Sequence, residues 1–84
     1  MAKKFWDEEK LIGEVEKSKN TTIKFKVVKK DGVLYGESRE WFTDKNGEEM
    51  PTKKGHCLTV EQIDDFIAHW EMVRDELKKM AGKN

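Results

Sequence analysis

Eighty-four residues with no net formal charge, 40% charged and 36% hydrophobic, allow one small domain with a modest core and much solvated surface. No apolar run approaches the roughly 20 residues that span a bilayer, and no apolar stretch follows Lys3 and Lys4, so neither a membrane span nor a signal peptide is expected. The single cysteine, Cys57, excludes an internal disulfide and suits a cytoplasmic setting, nucleoid-associated if the source is bacterial.

Residues 1–10 are polar apart from Phe5 and Trp6 and read as an N-terminal arm, frayed or a short pre-strand; residues 11–81 read as the single domain. Leu11 to Val15 is a short first strand, and Lys17 to Asn20 a turn. From Thr21 to Val28, Ile23, Phe25 and Val27 alternate with Lys24 and Lys26, the two-residue period of a half-buried strand. Lys30-Asp31-Gly32 is a tight turn. Val33 to Thr43 is a third strand with no cleanly apolar face, and Gly36 reads as a bulge or bend. Asn46-Gly47 marks the next turn, and a short fourth strand is expected near Lys54 to Leu58.

Thr59 with Gln62 three residues on has the spacing of a capping box opening a helix. Ile63, Phe66, Ile67, Trp70, Val73, Leu77 and Met80 form an apolar stripe at helical spacing, and Gly82 suits the stop. One small sheet cannot cover so long a helix, so its outer part is expected to pack on a second copy of the chain. The fold class is therefore α+β, an antiparallel sheet followed by one long helix that mediates a homodimer.

Charge is unevenly spread. Residues 1–16 hold three basic and five acidic side chains, residues 17–54 ten and six, and residues 55–84 four and six. Screening over about 8 Å makes the local field matter more than the total. The middle also carries Arg39, the aromatics Trp41 and Phe42, a turn, and the pair Lys53-Lys54 before Gly55. Stacking rings beside cations suit an unpaired nucleic acid. The plainer reading is that the lysines solubilise a strand edge. For Arg39 it is an ion pair with Glu37, Glu40 or Asp44. Trp41 and Phe42, adjacent on a strand, point to opposite faces, and the residues alone leave open which faces out. His56, Cys57 and His69 have no spacing of a zinc ligand set. With neither phosphate loop nor dinucleotide fingerprint, no enzyme and no cofactor is expected.

The run Arg39-Glu40-Trp41-Phe42-x-Asp44, Gly47-Glu48, Pro51-x-Lys53-Lys54-Gly55, Leu58 and Glu61-Gln62 resembles the transcriptional coactivator family called positive cofactor four. The match is ungapped from Arg39 to Gln62 and looser from Ile23 to Leu77. The resemblance implies a curved four-stranded antiparallel sheet followed by one helix. It also implies a helix-mediated homodimer whose sheet binds single-stranded DNA, and a role beside transcription or replication machinery. It favours Phe42 outward, with Arg39, Lys53 and Lys54 at the DNA. Lys24, Lys26 and Lys30 are further candidates for phosphate contact. The dimer is expected along Ile63, Phe66, Ile67, Trp70, Val73 and Leu77. The chain departs from the family at Lys30-Asp31-Gly32-Val33, where the family has an aromatic ring. RNA in place of DNA, or a protein partner for the same sheet, are the alternatives.

Overall fold

The computed structural model describes residues 5–82. Strand β1 runs Glu8–Ser18, β2 Thr21–Lys30, β3 Val33–Thr43 and β4 Glu49–Leu58, and helix α1 runs Val60–Ala81. The strands form one antiparallel sheet in chain order, the arrangement that short connections favour. The α+β class expected from the sequence is the one observed.

Local chemistry makes the turns. Asp31 and Gly32 both have positive φ, 52° and 82°, as a two-residue hairpin matched to strand twist requires. At the β3–β4 turn the Asp44 side chain accepts from the amides of Asn46 and Glu48, both at 2.9 Å, and Gly47 supplies φ of 84°. Thr59 caps α1: its hydroxyl accepts from the Gln62 amide, and Gln62 Oε1 accepts from the Thr59 amide at 3.0 Å. Thr59→Ala is expected to cost about 0.5–2 kcal/mol, read as a thermal midpoint several degrees lower. An unchanged midpoint would mean that the cap adds nothing to the folded assembly.

Three expectations need correction. β1 begins at Glu8, not Leu11, because the Asp7 amide donates to Lys29 O and the ion pair Lys26–Glu9 ties polar residues to β2; apolar alternation cannot register a strand whose anchors are polar. β4 begins at Glu49, not near Lys54, because its register breaks between Arg39 and Trp41, where the period is lost. Gly36 is not a bulge. It pairs regularly with Val27, and a Cβ there would stand 2.5 Å from Ile63 Cδ1, so the missing side chain lets the helix approach β3. The bulges lie instead in β1, at Ile12 and Lys17, and in β4.

The regular β2–β3 register defines two faces. Ile23, Phe25 and Val27 lie on the side of Gly36, where α1 docks. Lys24, Lys26 and Val28 lie with Tyr35, Glu37, Arg39 and Trp41 on the other. Among the described residues α1 touches only β3 and β4 and has no buried side chain. Val28, 1% exposed, is the one fully buried apolar side chain among the described residues. The radius of gyration is 15.7 Å, against about 12 Å for a compact chain of this length. The described chain is thus an open sheet with a helix along part of one side. No described helix is long and apolar enough to cross a membrane.

Candidate nucleic-acid interface

Trp41 and Phe42 part to opposite faces. Trp41 is half-buried, with Lys24 Nζ 4.4 Å and Lys26 Nζ 5.0 Å from its ring centroid. Each lysine is also ion-paired, Lys24 to Glu49 at 2.8 Å and Lys26 to Glu9 at 2.9 Å, and their side chains are 14% and 17% exposed. The aliphatic stems lie on the sheet while the ammonium groups are neutralised above the ring. The Trp41 Nε1 is buried without a hydrogen-bond partner, a cost that the packed ring and its two cations offset.

Phe42 lies on the side that carries α1, at the far end of the sheet. It stands between Thr21 and Met50 in register and is 42% exposed. A shallow pocket surrounds it, walled by Lys19, Asn20, Thr43, Asp44 and Lys45. Lys19 and Lys45 are exposed and have no ion-pair partner among the described residues. Sequence reading passed over both. The signal available was topological: in a four-stranded meander the β1–β2 and β3–β4 turns fall at the same end, which brings a lysine from each to the ring.

The other candidates are dispersed. Lys30, at the β2–β3 tip, donates to Phe5 O at 2.8 Å and lies 4.9 Å from the Phe5 ring, so the N-terminal segment brings a ring to a hairpin that has none of its own. Trp6 meets Phe5 edge-on at 4.6 Å. Of the three carboxylates open to Arg39, Glu37 is the partner: Arg39 Nε donates to it at 2.9 Å, and Nη1 donates to Thr52 O at 2.9 Å. Lys53 and Lys54 are exposed and unpaired among the described residues. They sit where Thr52, Lys53 and Lys54 of β4 oppose Glu40 alone on β3.

Gly55 closes this bulge. A Cβ there would overlap Ser38 O and stand 2.9 Å from Arg39 Cα, both backbone atoms that cannot swing aside. Gly55→Ala is expected to cost about 1–3 kcal/mol or more, seen as a lowered thermal midpoint. Full retention of the midpoint would show that β3 and β4 separate here at little cost.

The histidines and the cysteine have other partners. His56 meets Phe66 edge-on at 5.2 Å, and His69 Nδ1 lies 2.8 Å from Asp65 O. Partial burial, and then the Glu37 carboxylate, raise the Cys57 thiol above its ordinary pKa, with Arg39 opposing, the reverse of what an activated nucleophile needs.

The helix stripe divides. Ile63 and Phe66 are half-buried against their own sheet, whereas Ile67, Trp70, Val73 and Leu77 are half or more exposed. Between Ile67 and Trp70 of the helix and the exposed Phe25, Val27 and Ile12 of the sheet lies an open groove of about 1130 Å³.

The sequence model of the family described as Transcriptional Coactivator p15 (PC4) matches residues 15–69. That span takes in the end of β1, the remaining strands and the docked part of the helix. Searches of curated proteins and of solved structures gave no match.

Proposed function

The chain belongs to the transcriptional coactivator p15 (PC4) family, and from that membership we propose a homodimer that binds single-stranded DNA with little sequence preference. The observation that carries the reading is Phe42, an exposed ring flanked by Lys19 and Lys45, which have no ion-pair partner among the described residues. An unpaired base presents a π-face to such a ring, and a stack is worth about 1–3 kcal/mol. Lys53 and Lys54 add free cations for the phosphates. Lys24, Lys26 and Lys30 contribute less, since each would have to leave a partner within the chain to bind phosphate, and the Arg39 fork is already held by Glu37 and the Thr52 carbonyl. Nothing in this set reads a 2′-hydroxyl, so an RNA strand is expected to compete. Cytoplasmic or nucleoid placement beside transcription or replication machinery follows from the same reading.

Area supports the second copy. The exposed surface is 7250 Å², about 2,000 Å² above the roughly 5,200 Å² expected of a monomer of this mass. An obligate dimer removes on the order of 1,000–2,500 Å² per partner. The groove between α1 and the sheet is the part with apolar area to lose.

The test is fluorescence anisotropy of a labelled oligo-dT of about twenty nucleotides, titrated across salt with duplex and oligo-U competitors. If a strand contacts Lys19, Lys45, Lys53 and Lys54 of one protomer, the log–log salt slope should be near −3, at about −0.7 per phosphate. Binding abolished by duplex, or no binding at low salt, would end the proposal. The ion pairs that neutralise Lys24 and Lys26 favour a second reading, in which the sheet holds a partner protein; its binding would be far less sensitive to salt.

A further inference from the structure

We infer that Arg39 is a positioning residue, which holds the β4 bulge so that Lys53 and Lys54 are presented to phosphate, and that it makes no phosphate contact itself. The inference rests on the proposed function and deepens it. The bulge sets three residues of β4, Thr52, Lys53 and Lys54, against one residue of β3, Glu40, because Arg39 pairs with Gly55 and Trp41 with Pro51. Backbone groups in that stretch leave the ladder and need other partners.

Side chains supply them. Thr52 Oγ1 donates to Glu40 O at 2.9 Å and accepts from the Lys54 amide at 3.1 Å. The Thr52 carbonyl accepts from Arg39 Nη1 at 2.9 Å. Arg39 is fixed in turn through Nε by Glu37, whose side chain is 5% exposed, a carboxylate that would be left buried and uncompensated without the guanidinium. The planar fork thus bridges its own strand and the next one at two set points. A lysine at this position carries the same charge but has no such fork. Gly55, where the two backbones come closest, completes the clamp.

Charge and shape can therefore be separated. The full chain and the variants Arg39→Lys, Thr52→Val, Thr52→Ser, Lys53→Met/Lys54→Met, and the combination of Arg39→Lys with the double lysine variant are titrated with the same oligo-dT across salt. Positioning predicts that Arg39→Lys weakens binding roughly tenfold despite the retained charge. Thr52→Val, which touches no charge, should act in the same direction, and Thr52→Ser should restore the parent's affinity. In the double lysine background Arg39→Lys should add less than twofold, because the groups it positions are already gone. Circular dichroism identifies any variant that does not fold; should Arg39→Lys be one, the Thr52 pair decides alone. If Arg39→Lys binds like the parent, if its effect multiplies with that of the lysines, or if Thr52→Val is silent, the inference is wrong. Failure of the parent to bind oligo-dT removes the proposed function and this inference together, whereas a binding parent with multiplicative effects removes the inference only.

Discussion

Phe42→Ala is expected to weaken oligo-dT binding by about 5- to 150-fold, the equivalent of one lost stack worth about 1–3 kcal/mol, with secondary structure and thermal midpoint near those of the parent. The expectation follows from exposure and place. The ring is 42% exposed, at the end of β3 beside two turns, and far from the buried Val28. Removing it leaves no enclosed cavity, so the folding cost is small, while the π-face between Lys19 and Lys45 disappears. Trp41→Ala should behave in the opposite way. That ring is half-buried beneath two ion-paired lysines on the other face, so its loss should lower stability more than affinity. Equilibrium titration with thermal melts of both variants checks the assignment. A folded Phe42→Ala variant that binds like the parent would remove Phe42 from the interface.

Trp70→Glu is the second change with a large expected effect. Trp70 is 64% exposed, midway along α1, at the mouth of the apolar groove. A second copy seated there would bury the indole, and a carboxylate in its place would enter that contact without a partner. Truncating an interface anchor costs on the order of 2–4 kcal/mol, and an unpaired buried charge adds to it. The parent should sediment as a dimer, and the variant as a monomer or an aggregate at the same concentration. Both should keep the Thr59–Gln62 cap and the helix start, because those contacts are local. A parent that sediments as a monomer would mean that the exposed stripe is covered otherwise, and Trp70→Glu would then be nearly silent.

The two variants also separate the parts of the proposed function. A dimer would carry two Phe42 rings, so loss of dimerisation should lower apparent affinity for a long oligonucleotide more than for a short one. Loss of the ring should lower both alike.

Sequence alone determined what depends on neighbours in the chain. Asp31-Gly32 and Asn46-Gly47 mark turns because few other residues tolerate the dihedrals required there, and positive φ is found at Asp31, Gly32 and Gly47. Thr59 and Gln62 announce a helix start because a hydroxyl and an amide three residues apart can satisfy each other. Alternation around Ile23, Phe25 and Val27 and the helical stripe from Ile63 to Leu77 follow from periods of two and 3.6 residues, and the run from Arg39 to Gln62 carried the family resemblance. Tertiary structure decided what depends on partners far along the chain. Adjacent strand residues always alternate, but the side taken by Phe42 depends on where α1 docks, and that depends on Gly36 admitting Ile63. Three carboxylates were open to Arg39, and the β4 bulge brought Thr52 within reach so that the fork settled on Glu37 and the Thr52 carbonyl. Lys24 and Lys26 looked free until Glu49, from β4 two strands away, and Glu9, from the adjacent β1, came to meet them. Charge has no period and acts through space, so a linear pattern can count the lysines but cannot tell which remain unpaired.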